Sequence, residues 1–167
     1  MSKAQWLTLV VFDFAWFAAI VGGGEWLLAQ WLLLLGNLAL IGFQGCKQAL
    51  LIAAAGLLLD GLFTHFGLFI FNRPFTVIPL FLLVLWLHFA LMVSLLLSKL
   101  PKQFYKLAAL MALMGAWGYI AAALLNAVQL QPSLPIAAII IGVGWAFWLS
   151  PLIWLLCRRM QPPQEVA

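Results

Sequence analysis

A chain of 167 residues that is 67% hydrophobic and 7% charged, with a mean hydropathy of +1.16, is no soluble domain, in which about half the residues are apolar. Its net charge of +4 does not point to nucleic acid, because the basic residues stand at the ends of apolar runs rather than along one polar face. The two cysteines, Cys46 and Cys157, have the spacing of neither a metal site nor a redox motif.

At about 20 residues per crossing, the chain has room for about six membrane spans and no second domain. The first is expected over about 5–21. Asp13 interrupts its middle and no small-residue cleavage site follows, so it reads as an uncleaved span rather than a signal peptide. Gly22-Gly23-Gly24-Glu25 then forces a tight return into a second span, about 26–43, which carries Gln30 and Asn37. The third, about 48–66, delivers Asp60. The segment 67–76 is too short to cross and holds Asn72-Arg73-Pro74, the pattern of an interfacial or re-entrant turn. Span four, about 77–97, has His88 at its centre, and Ser98-Lys99-Leu100-Pro101-Lys102 is the clearest polar linker. Span five, about 104–125, shows a small-residue face through Ala108, Ala112, Gly115, Ala116 and Ala122, which predicts a central position in the bundle. Span six, about 134–157, is expected to kink at Pro151, and 158–167 reads as a polar cytoplasmic tail. No internal repeat is apparent. The fold class expected is all-α: a polytopic membrane protein with six transmembrane helices.

Orientation follows from the basic residues. With the amino terminus inside, Lys3, Lys47, Lys99, Lys102, Lys106, Arg158 and Arg159 collect on the cytoplasmic face and Arg73 alone lies outside. Both termini are therefore expected in the cytoplasm.

Counting about 1.5 Å per residue along each span places Asp13, Asn37 and His88 at mid-depth, with Asp60, His65, Glu25 and Arg73 nearer the outer face. An ionisable group inside lipid is expensive, so Asp60 is a functional candidate by default. Gly56, Asp60, Thr64 and Gly67 share one helical face while His65 points about 140° away, so Arg73 is the better partner for Asp60. Each group also has a structural reading: Asp60 as a neutral or paired carboxyl, His88 as a hydrogen-bonded core imidazole, Asp13 packed against Asn37. Trp86, Trp117 and Trp145 fall within spans and suit the wall of an apolar cavity. The sequence holds no catalytic motif, which leaves an enzyme unsupported but not excluded, and no metal or cofactor is expected.

Several short patterns are familiar: Phe14-Ala15-Trp16-Phe17 with Gly22-Gly23, then Gly56-Leu57-Leu58-Leu59-Asp60, Ile78-Pro79, Leu85-Trp86-Leu87-His88-Phe89-Ala90 and Gly144-Trp145. Together they resemble the domain of unknown function 2878 family of small bacterial inner-membrane proteins, over nearly the whole chain. That resemblance implies a multi-pass protein of the bacterial inner (cytoplasmic) membrane with an accessory role in envelope lipid chemistry. The six spans, the Gly-x-x-x-Asp step and the pair Ala15 and Ala19 are also similar in architecture to the cell-shape protein MreD and to the substrate-binding subunits of vitamin transporters. That likeness implies a membrane partner docked on Ala15/Ala19 or on Ala108/Ala112/Ala116.

Two functions stay open on the sequence. One is an accessory protein binding a membrane lipid or hydrophobic metabolite in a cavity between spans one, three and four, with Asp60 and Arg73 fixing the polar head. The other is a transport component, either a substrate-binding subunit or a small proton-linked carrier using Asp13, Asp60 and His88.

Overall fold

The computed structural model describes residues 1–39, 43–71 and 79–159. Arg73, the turn expected around it and the tail beyond Arg159 lie outside the described residues, so the pairing of Asp60 with Arg73 does too. The fold is all-α, with five helices long and apolar enough to cross a membrane. These are α1 (Lys3–Phe17, prolonged by a π-helical turn over Ala18–Gly22), α3 (Phe43–His65), α4 (Leu80–Leu96, closing in a 3-10 turn at Leu97–Lys99), α5 (Phe104–Leu124), and a composite of α6 (Leu134–Gly144) and α7 (Ser150–Arg159). Between α1 and α3, α2 (Leu27–Leu38) has 12 residues, about 18 Å of helix, shorter than the expected span over 26–43.

Local chemistry sets these boundaries. Ser2 and Gln5 form a reciprocal capping box at the start of α1, and the Gln5 amide also donates to the Leu95 carbonyl at 3.0 Å. Gly23, at φ 53°, turns the chain between α1 and α2, and the Gln30 amide donates to its carbonyl at 3.3 Å. The last span changes its helical pitch just before Pro151. A π-helical turn, Trp145–Leu149, precedes it and widens the helix where the proline removes an N–H, while Ser150 Oγ donates to the Trp145 carbonyl at 3.0 Å.

The helices alternate in direction. Leu95 O receives Gln5, Cys157 Sγ donates to Leu97 O, and Trp154 Nε1 donates to Lys102 O, so the start of α1, the end of α4, the start of α5 and the end of α7 share one end of the bundle. Trp148 lies level with Ala55, and Gly144 with Leu59 and Phe63, which sets α3 antiparallel to the last span. Lys3, Lys47, Lys99, Lys102, Lys106, Arg158 and Arg159 thus gather at one end.

The central helix is α4, not α5 as the small-residue face predicts: 72% of its membrane-length stretch is buried against 22% for α5. The small face is nevertheless used. Gly142 of α6 approaches the Ala112 backbone, where an added Cβ would stand 3.4 Å from the carbonyl oxygen.

An internal repeat, absent from the sequence reading, organises α3 to α7. Helix α3 ends at Gly67 (φ 74°) and α5 at Asn126 (φ 59°). Both ends are Schellman caps: Leu68 N–H donates to Phe63 O and Gly67 N–H to Thr64 O, as Ala127 does to Ala122 and Asn126 to Ala123. Each cap leads two residues on into a three-residue strand, β1 (Phe69–Phe71) and β2 (Val128–Leu130), and then into a returning helix. The strands pair antiparallel, Phe69 with Leu130, Ile70 with Gln129 and Phe71 with Val128, a register symmetric about Ile70 and Gln129. Each position lies 59 residues after its counterpart. The α3–α4 and α5–α7 hairpins are two copies of one unit running in the same direction about a local two-fold axis.

Candidate functional site

The axis of this repeat carries a buried carboxyl group. Asp60 is wholly buried. Its Oδ2 accepts from Trp86 Nε1 at 2.6 Å and from the Tyr119 hydroxyl, while Oδ1 has no partner among the described residues. Tyr119 is the repeat counterpart of Asp60, so the two equivalent positions bond to each other across the axis. Trp86 and Trp145 are counterparts as well, with ring centroids 5.4 Å apart and Phe89 edge-on to both. Each indole covers a glycine of its own hairpin. A Cβ at Gly56 would come within 2.2 Å of Trp86, and one at Gly115 within 2.3 Å of Trp145. No other residue allows those rings to seat.

Against this centre lies a cleft of about 330 Å³. Helix α1 gives one wall through Phe12, Asp13 and Trp16, α4 the floor through Leu85, Trp86 and Phe89, and α5 the other wall through Trp117, Gly118, Tyr119 and Ala122. Trp86, Trp117 and Trp145 all line it. Asp60 does not: it stands behind Trp86 and Tyr119 and fixes two of the surfaces a ligand would touch. Helix α3 lines none of the cleft, in contrast to the cavity expected between spans one, three and four. On the α3 side Leu59 and Phe63 pack onto Gly144 and fill the space, whereas on α5 the counterpart positions are Gly118 and Ala122.

The remaining polar candidates are dispersed rather than gathered in one mid-depth layer. Asp13 is exposed at the cleft, about 15 Å along α1 from Lys3, with no hydrogen-bond or ionic partner among the described residues. Asn37 does not pack on it; Asn37 Oδ1 accepts from the buried Thr8 hydroxyl at 3.1 Å. His88 is buried with Nε2 3.0 Å from the Gln30 carbonyl, a geometry in which Nε2 carries the proton and donates. It ties α4 to α2. His65 is exposed at the end of α3, edge-on to Phe66 and apart from Asp60. Ala15 and Ala19, read as a docking face for a partner, are buried inside this chain's own bundle. The described residues contain no cluster of three metal-ligating side chains.

Tyr119 is the site residue that sequence reasoning missed. The repeat held the signal: Gln44, Lys47, Ala49, Leu51, Ala53 and Gly56 recur as Gln103, Lys106, Ala108, Leu110, Ala112 and Gly115. Following that register four residues past the glycine leads from Asp60 to Tyr119.

Residues 5–151 match the model of a family described as a protein of unknown function (DUF2878). The chain belongs to this family. No curated protein and no solved structure matches it. Membership in DUF2878 covers α1 to the first residues of α7, so the cleft and the Asp60 centre both lie within the matched region.

Proposed function

We propose that this DUF2878 protein is a multi-pass protein of the bacterial inner membrane that holds one lipid or hydrophobic metabolite in the cleft between α1, α4 and α5, in an accessory rather than a catalytic role. The cleft itself carries the proposal: about 330 Å³ falls within the range of small-molecule sites, and aromatic and aliphatic side chains make most of its surface.

The topology proposed with it has six crossings and both ends in the cytoplasm. Helix α2 is short, but the Thr8–Asn37 bond brings its end to within about 8 Å of the start of α1, most of the way across. The seven basic residues at one end then obey the positive-inside rule. Reporter fusions at the two termini test this part; opposite signals would refute six crossings.

Native mass spectrometry of the full chain released from detergent tests the ligand. One hydrophobic adduct per chain is expected, lost in Gly118→Phe, where the new side chain meets open space at its Cβ and enters the cleft. A bare wild-type mass, or an adduct that persists in a folded Gly118→Phe protein, would overturn the proposal.

A further inference from the structure

The cleft has a chemical bias that its volume does not convey. Asp13 lies halfway along a helix of membrane length, at the rim of the cleft, and no donor or cation among the described residues reaches it. A carboxyl group at that depth is costly in lipid and normally turns toward a partner. Lys, Arg and His are all missing from the described lining, so nothing there would receive a phosphate or carboxylate headgroup. The walls beside Asp13 are aromatic: Phe12 precedes it, Trp16 follows one turn on along the same helical face, and Trp117 stands across the opening on α5. A carboxylate flanked by indole and phenyl faces suits an organic cation, which gains from ring quadrupoles and from a charge-assisted hydrogen bond together.

We propose that the cleft selects a lipophilic ammonium compound, a molecule with one apolar tail and a protonated amine head, and that Asp13 pairs with that head. The ligand then supplies a charge that none of the described lining residues provides, and its tail occupies the space between Gly118, Ala122 and Leu85. This specificity rests on the cleft being a ligand site, and the two are separable by experiment.

The full chain in phosphatidylcholine nanodiscs is equilibrated by dialysis with radiolabelled dodecylamine, dodecanol and dodecanoate, with empty discs subtracted for simple partitioning. The amine is expected to bind saturably and roughly tenfold or more tighter than the alcohol, the scale of a charged hydrogen bond. Asp13→Asn should erase that preference while leaving dodecanol binding in place, which also reports that the variant is folded. Asp13→Glu should retain the preference. Equal affinity for the three probes, tighter dodecanoate, or a preference that survives Asp13→Asn would overturn the ammonium assignment and leave the cleft standing. If none of the probes binds saturably, the ligand site itself fails.

Discussion

The two hairpins present the same gap twice, and the protein fills one and leaves the other open. On the α3 side, Leu59 and Phe63 close onto Gly144, and Trp148 Nε1 seals the edge by donating to the Ala55 carbonyl at 2.9 Å. On the α5 side, the counterparts of Leu59 and Phe63 are Gly118 and Ala122, and the counterpart of Gly144 is Leu85, on the floor of the cleft. The backbone caps, the strand register and the glycine–tryptophan seats are shared, so side-chain volume separates packed interior from open cleft. Concavity here is made by omission. Polarity diverges in the same way: His88 holds α2 at 3.0 Å, whereas its counterpart Phe147 is exposed to the surroundings of the bundle.

The largest effect should come from breaking the axis on which the comparison turns. Asp60→Ala leaves the buried Trp86 N–H and Tyr119 O–H without an acceptor, a loss of roughly 3 kcal/mol in an unfolding titration by sodium dodecyl sulfate followed by far-ultraviolet circular dichroism. Tyr119→Phe removes one donor and keeps Trp86 on the carboxyl, so about 1 kcal/mol is expected. Equal losses would mean that the two hairpins do not meet through Asp60.

Next in size is the filled gap. Phe63→Ala should cost about 2 kcal/mol, below the range for fully buried phenylalanines because Phe63 is only half-buried. It should also rescue Gly144→Ala, whose Cβ would stand 2.6 Å from the Phe63 ring in the wild type. Additive losses in the double variant would place Phe63 elsewhere. The converse, Gly118→Leu with Ala122→Phe, copies the bulk of the first hairpin into the second. It should abolish ligand binding and leave stability unchanged or raised by about 1 kcal/mol, since a helical glycine is replaced as the cleft fills. A clear loss of stability, with binding retained, would show that the cleft does not lie where Gly118 points.

The sequence disclosed the solvent before it disclosed the site. Long apolar runs, punctuated by Gly22-Gly23-Gly24 and by Ser98-Lys99-Leu100-Pro101-Lys102, point to an all-α chain of long apolar helices, because hydropathy and turn chemistry are local properties. Asp60 stood out for the same reason: one carboxyl in an oily run is visible without knowing its neighbours. Its partners were not. Trp86 and Tyr119 lie 26 and 59 residues away, and helical periodicity says nothing about which faces of different helices meet. The small face of α5 suggests centrality, yet small residues equally leave room for a ligand, and Gly115 and Ala122 of that face line the cleft. The repeat was the readable long-range signal, spread over Gln44/Gln103, Lys47/Lys106 and Gly56/Gly115 among residues too common in membrane helices to attract notice.

The finest contrast between the hairpins concerns one proton. Trp86 and Trp145 occupy counterpart positions over counterpart glycines, but Trp86 Nε1 has Asp60 as acceptor and Trp145 Nε1 is buried with none among the described residues. The repeat accounts for the orphan: the position that would receive it is Tyr119, whose hydroxyl is turned across the axis to Asp60. Replacing either indole with phenylalanine removes similar volume from similar surroundings, so the packing cost is common to both variants. What differs is the hydrogen bond. Trp86→Phe should therefore be the more destabilising of the two by about 1 kcal/mol in the same titration, because Trp145→Phe discards a donor that has no acceptor among the described residues. If the two losses were equal, Trp145 Nε1 would have to hold a partner of its own, such as a buried water bridging to Asp60 Oδ1, and the asymmetry between the hairpins would stop at their side-chain volumes.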